Sequence, residues 1–266
     1  MIKVDFTNLT SDMIGANGLS KEDFAVIDAD KLTKIIDLKR HTELAFIDLP
    51  DADIRDIKKA GEFAGKFDNL IILGIGGSAL GPRTILDSLS PLHNYLKKPR
   101  VFIYDNVDPM TLKSILAVVD LKRTVINVIT KSGSTAETLA SFMILWKMIS
   151  DAGLKPAEHI IITTDPEKGN LRKIANENGI TALAVPPAVG GRYSVLSAVG
   201  LLLAEAAGID ADVMLKGAKD INERCLNADL WQNPAMLFAS AMYLMQKEKG
   251  RSINVIFPYA DRLKPF

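Results

Sequence analysis

Two turns rich in glycine and hydroxyls carry the residues best suited to chemistry. The first, Gly74-Ile75-Gly76-Gly77-Ser78-Ala79-Leu80-Gly81-Pro82, follows the apolar run Leu70-Ile71-Ile72-Leu73. The second, Thr130-Lys131-Ser132-Gly133-Ser134-Thr135-Ala136-Glu137-Thr138, follows Val125-Ile126-Asn127-Val128-Ile129. Helix-like sequence comes after each. A strand that ends in such a turn at a helix N-terminus aims unpaired backbone N–H groups at one point, where an anion fits. In the second turn Lys131 is a compact cation for a phosphate oxygen, and Ser132, Ser134 and Thr135 can donate to the same group. Two such turns on one sheet predict a phosphate gripped from two sides, and therefore a phosphorylated small molecule as ligand.

Each turn also has a plainer reading. Gly74, Gly76 and Ala79 match the Gly-x-Gly-x-x-Ala dinucleotide fingerprint, with Asp105 near the end of the next strand, where a ribose contact would sit. Against a nicotinamide cofactor, a pyrophosphate cradled at the first turn has no use for a separate Lys-Ser-Gly-Ser-Thr loop on another strand. The second turn could simply start a helix, with Ser134 or Thr135 as the cap and Glu137 completing a capping box. In a third turn, Gly190-Gly191-Arg192-Tyr193-Ser194, two glycines let the backbone approach a ligand closely. Arg192 there could stabilise a developing oxyanion or pair with a structural carboxylate. His41, His93 and His159 each stand alone near an element end, as surface or boundary residues. No metal-ligand spacing and no nucleophile–histidine–acid arrangement is present, so no metal is expected.

The elements that must position these turns alternate in a strand–helix rhythm. Strands are expected over 69–74, 100–105, 124–129, 159–164 and 181–185, and helices over 80–90, 109–118, 134–152 and 168–178. The strands are near-continuous apolar runs, as in a parallel sheet with helices on both faces. The expected fold is α/β: a doubly wound, flavodoxin-like five-stranded parallel sheet whose ligands bind beyond the C-terminal strand edges. Before it, residues 1–66 read as an N-terminal helical region, with Ser20 and Asp23 as a capping pair. There Ile54, Ile57, Gly61 and Ala64 fall at helical spacing after Pro50-Asp51. The sheet domain is expected over 67–190. Residues 191–266 are expected to hold helices near 194–207, 210–225 and 234–249, then a strand over 253–258 that opens a second α/β domain.

Composition narrows the partners. The 266 residues are 48% hydrophobic, enough for a sizeable core, and Lys+Arg and Asp+Glu balance at 32 each. No net charge favours nucleic acid or an acidic membrane, so any phosphate site must be local. One cysteine, Cys225, rules out an internal disulfide framework, fits a reducing compartment and reads as a small buried side chain. The start Met1-Ile2-Lys3-Val4-Asp5 lacks a signal-peptide pattern, and no apolar stretch approaches the ~20 residues that span a bilayer. A cytoplasmic protein is expected.

Taken together, the three turns resemble those of the phosphoglucose isomerase family, of the sugar isomerase (SIS) fold group. The segment Val189-Gly190-Gly191-Arg192-Tyr193-Ser194, followed by Val195-Leu196-Ser197-Ala198-Val199-Gly200, resembles a signature of that family. Gly133 and Pro187 depart from it: Gly133 stands where a bulkier residue is usual, Pro187 where an acidic one is common. The resemblance implies reversible conversion of glucose 6-phosphate and fructose 6-phosphate through an enediolate, without a cofactor. It places Thr130, Lys131, Ser132 and Thr135 on the substrate phosphate, and Gly77, Ser78 and Gly191 on the sugar or phosphate. Arg192 would stabilise the enediolate, and Glu137 matches an acidic position in the phosphate loop. The family's catalytic glutamate, and the histidine and lysine that assist ring opening, would lie beyond Phe266, so the chain resembles an N-terminal half, inactive by itself. It also implies a hexose 6-phosphate partner and a homodimer in the full-length protein. A non-catalytic sugar-phosphate-binding regulator on the same fold is the alternative.

Overall fold

A computed structural model describes residues 2–265. In chain order its helices are α1 (Ser11–Ile14), α2 (Ala29–Lys39), α3 (Arg55–Ala64), α4 (Gly77–Leu89), α5 (His93–Leu96), α6 (Pro109–Leu116), α7 (Ala136–Asp151), α8 (Pro156–His159), α9 (Asn170–Asn178), α10 (Ala198–Ala206), α11 (Ala211–Cys225) and α12 (Pro234–Lys249). The strands are β1 (Asn69–Leu73), β2 (Arg100–Tyr104), β3 (Thr124–Thr130), β4 (Ile160–Thr164) and β5 (Thr181–Ala184). Every strand of the expected sheet is present, with ends moved by a residue or two.

The chain forms two compact units. Asp51–Asp212 with the tail from Pro258 makes one, and the residues up to Pro50 with Val213–Phe257 make the other. The first holds the sheet. Its order is β2-β1-β3-β4-β5 and all pairings are parallel, the flavodoxin-like winding. Central strands β1, β3 and β4 are buried at every residue, whereas the edge strands β2 and β5 are partly exposed. Hence the apolar runs do not alternate: helices cover both faces. One face presents Ile71, Leu73, Ile126, Val128, Ile160 and Ile162 to Leu112 and Ile115 of α6, Phe142, Leu145 and Ile149 of α7, and Leu171 of α9. The other is covered by α3, α4 and α10, with α10 packed against both of its neighbours. Helix α10 is apolar all round, and all but Glu205 of its residues are buried, as a helix in a core must be. Its start lies later than expected, at Ala198, where the Ser197 hydroxyl accepts from Val199 N at 3.3 Å.

In the second unit Leu19, Phe24, Leu230, Met236, Leu237, Ala241 and Leu244 build a separate core. The Ser20–Asp23 pair forms reciprocally: Ser20 N donates to Asp23 Oδ2 at 2.7 Å and Asp23 N to Ser20 Oγ at 3.2 Å. The strand expected over 253–258 does not form. Residues there are irregular, with Ile253 86% and Ile256 90% exposed. A strand's N–H and C=O groups need a neighbour, and no strand lies beside this segment among the described residues. Cys225 is free and half-buried rather than buried.

Candidate functional site

The winding creates the site. Strands β1 and β3 are adjacent, yet β1 leads into α4 on one face and β3 into α7 on the other. At this switch point the two outgoing turns diverge and leave a crevice beyond the C-terminal strand edge. It is narrow, with no room for a water molecule, and is lined by Leu73, Gly74 and Ile75, by Tyr104 and Asn106, and by Glu137, Thr138 and Ser141 of α7, while the turn residues 130–135 lie outside its lining.

The turn after β3 is preset for an anion. Thr130 Oγ1 lies 2.7 Å from Thr135 Oγ1 and 3.2 Å from Ser132 Oγ, and Ser134 Oγ sits 3.4 Å from Ser132 Oγ. Four hydroxyls thus bond one another at the mouth of α7. Thr135 holds the N-cap position, yet its side chain makes no cap bond, and its hydroxyl turns to Thr130 instead. With Thr135 as the cap, Glu137 stands at the second helical position instead of the third that a capping box needs, and it is exposed in the first turn. Helix bonding begins only with Leu139 N to Thr135 O, so the amides of Ala136, Glu137 and Thr138 find no protein acceptor among the described residues. The half-buried Lys131 makes no ion pair among the described residues. Gly133 at φ +67° allows the reversal, and a Cβ there would lie 3.0 Å from Gly169 Cα. The usual bulkier residue is thus excluded here by close approach of a second backbone.

The turn after β1 is tighter. Gly76 at φ +59° bends the chain into α4, and Ser78, Ala79 and Leu80 N–H donate to Ile75 and Gly76 carbonyls at 2.8–3.2 Å. These amides are already used, unlike those of α7. Ser78 is half-buried, and its hydroxyl has no protein partner among the described residues. Asp105 accepts from Arg83 of α4 at 2.9 Å, so the acidic group a ribose would need is already paired.

The turn over 190–194 meets the turn after β1. A Cβ on Gly77 would stand 2.1 Å from the Gly191 carbonyl oxygen, so the two backbones touch. Arg192 is exposed, with its guanidinium 5.9 Å from the Tyr193 ring centre and no carboxylate partner among the described residues. Among the described residues the structural ion pair expected as its alternative does not form. Two of the three histidines prove buried. His93 Nε2 donates to Pro99 O at 2.8 Å and His159 Nδ1 to Thr124 O at 2.9 Å, each bracing an element end. Only His41 lies on the surface, beside Asp48.

Thus the turn after β1 touches the 190–194 turn through Gly77 and Gly191, and it lines one crevice with Glu137 and Thr138 at the start of α7. The phosphoglucose isomerase family model matches residues 51–266. The chain belongs to the phosphoglucose isomerase family. Glucose-6-phosphate isomerase of Carboxydothermus hydrogenoformans is 41% identical over 99% of this chain and 60% of its own length. That of Rubrobacter xylanophilus is 44% identical over 74% of this chain and 46% of its own. Among solved structures, a hypothetical protein of Thermus thermophilus superposes with TM-score 0.79 at 32% identity, over 89% of this chain and 56% of that one. A glucose-6-phosphate isomerase of Chlamydia trachomatis gives 0.68 at 25% identity, over 79% and 41%. The chain therefore spans about 60% or less of the length of these relatives. Among the described residues no helix is long and apolar enough to cross a membrane.

Two features of the site escaped the sequence pattern. Thr138 carries a buried hydroxyl with no partner and lines the crevice, and its spacing from Thr135 marks it only as part of a helix face. The contact of Gly77 with Gly191 joins residues far apart in the chain, and no local signal announces it.

Proposed function

We propose that this chain carries the substrate-phosphate grip of a glucose-6-phosphate isomerase, which interconverts glucose 6-phosphate and fructose 6-phosphate. The observation that carries this reading is the uncapped mouth of α7, where three amides and Lys131, without acceptor or ion pair among the described residues, adjoin a cluster of hydroxyls. A phosphate dianion would replace hydroxyl–hydroxyl bonds with shorter charge-assisted ones from Thr130, Ser132 and Thr135, and would gain the helix dipole. With the phosphate fixed there, the sugar extends toward Ser78, Gly77, Gly191 and Arg192. Isomerisation removes the proton from C2 to give an enediolate spread over C1, C2 and their two oxygens, passes the O2 hydroxyl proton to O1, and returns a proton to C1. Arg192 stays charged throughout and so cannot be the base; it stabilises the enediolate oxyanion. The base that moves the proton comes from outside the residues gathered here, and Glu137 serves the phosphate loop. The full-length protein works as a homodimer in the cytoplasm.

Calorimetric titration of the purified chain with glucose 6-phosphate tests the grip. Binding should be saturable, and Lys131→Ala should weaken it by about 1.5–3 kcal/mol. NADH should give no saturable quenching of tryptophan fluorescence. Glucose 6-phosphate binding that is indifferent to Lys131→Ala would remove the basis of the proposal. Turnover of fructose 6-phosphate by this chain, above the Lys131→Ala control, would show that the base lies within it.

A further inference from the structure

We infer that α4 is the positioning element for Arg192: a face made by Gly77 and Gly81 is the socket on which the 190–194 turn is seated. This rests on the reading of Arg192 as a substrate-facing group.

Gly77, Gly81 and Ile85 recur every four residues and so stack along one side of α4. The segment from Gly191 to Gly200 lies against that side. A Cβ on Gly77 would fall 2.1 Å from Gly191 O and 3.3 Å from Arg192 N, and one on Gly81 would fall 3.2 Å from both Cβ and Cγ2 of Val195. One turn further on, a Cβ on Gly200 would meet Val195 O at 2.2 Å and Ile85 Cδ1 at 2.7 Å. The chain therefore needs bare backbone at three successive contacts. The carbonyl that touches Gly77 is also held from its other side, since Ser194 Oγ donates to Gly191 O at 2.8 Å. Ser197 Oγ in turn donates to Ser194 O at 2.6 Å.

By contrast, a Cβ on Gly191 itself would meet nothing within 4 Å. The two glycines at this junction thus have different reasons to be glycine. Gly77 is bare because protein packs on it, while Gly191 presents an open face. Arg192 has no carboxylate partner among the described residues and stands over the ring of Tyr193 in the same turn, so its placement follows that turn, and the turn is placed by α4. The same helix starts at the turn that bears Ser78. The sugar-side groups of both turns therefore move as one piece.

The test compares Gly81→Ala, Arg192→Ala and the double variant in this chain, titrated with glucose 6-phosphate and with inorganic phosphate. Gly81→Ala favours the helix by intrinsic propensity, so the variant folds, as a thermal melt will verify. Its methyl must push Val195 away by a few tenths of an ångström. The expected result is glucose 6-phosphate binding weakened about threefold to tenfold with inorganic phosphate binding unchanged. The double variant should bind no more weakly than Arg192→Ala, because both changes remove the same contact. If Arg192→Ala weakens glucose 6-phosphate binding and Gly81→Ala does not, or if their effects multiply, the socket is overturned while the reading of Arg192 stands. Equal losses for both ligands in Gly81→Ala would also overturn it. If Arg192→Ala itself has no effect, the reading of the arginine fails and the inference with it.

Discussion

Replacing Thr135 with valine removes one hydroxyl from the mouth of α7 while keeping the side chain's shape. In the free protein that hydroxyl lies 2.7 Å from Thr130 Oγ1 and 3.4 Å from Ser132 Oγ. Thr130 is buried, yet it keeps Ser132 Oγ at 3.2 Å, so the change orphans no buried group. The free protein should lose about 0.5–1.5 kcal/mol, the net worth of a neutral hydrogen bond. In the phosphate complex the same hydroxyl would donate to a charged oxygen, worth about 1.5–3 kcal/mol. Binding reads the difference, about 1–1.5 kcal/mol, which is a rise in Kd of about 5- to 12-fold. Calorimetry at fixed ionic strength measures it, with a thermal melt reporting the stability change separately. Ser134→Ala is the internal control: its hydroxyl touches the cluster only through Ser132 at 3.4 Å, and Kd should change less than about twofold. An unchanged Kd for Thr135→Val, or equal losses for the two variants, would refute the idea that the cluster is an anion site held open by mutual bonding.

Other expectations follow from groups away from the site. Asn233 is nearly fully buried; its Oδ1 accepts from Met236 N at 2.9 Å while Nδ2 donates to Cys225 O and Asn227 O at 2.7 and 2.8 Å. Asn233→Asp keeps the helix cap but turns both donor contacts into repulsions, so urea unfolding should show a loss of about 2–4 kcal/mol, no smaller than for Asn233→Ala. Asp68 accepts from Arg123 and from Lys98, the latter at 2.9 Å, and these bonds hold its carboxyl at about 2 against an ordinary 3.8. A folded-state value below the unfolded one means that stability is present above pH ~4 and fades as pH falls toward about 2. In urea titrations Asp68→Asn should therefore be less stable than the parent at neutral pH, with the gap narrowing from pH ~4 downward.

Much of this fold was legible because its signals are local. Apolar runs such as Leu70-Ile71-Ile72-Leu73, with no polar alternation, announced strands buried on both faces, and β1 is indeed buried throughout. The failure at 253–258 has the same root. Ile253-Asn254-Val255-Ile256-Phe257 has strand composition, but composition supplies no hydrogen-bonding neighbour, and the segment stays irregular and exposed. Likewise Ser134, Thr135 and Glu137 fit a capping box by spacing. They do not form one because the helix starts one residue later than that spacing needs: Thr135, whose hydroxyl pairs with Thr130 at the end of β3, is the cap, and Glu137 falls at the second helical position instead of the third.

The sequence alone determined which residues could hold an anion, the order of strands and helices, and the membership of the three turns in one family pattern. These depend on residue type and on periods of two and 3.6, which are written along the chain. Only the tertiary structure decided that β1 and β3 are adjacent, so that their turns share a crevice. It alone revealed that the amides of Ala136, Glu137 and Thr138 in α7 are unused while those of Ser78 and Ala79 in α4 are taken, and that Gly77 is bare for the sake of Gly191. Each of these turns on contact between segments distant in sequence, and the close packing that makes a 2.1 Å conflict intolerable has no local imprint.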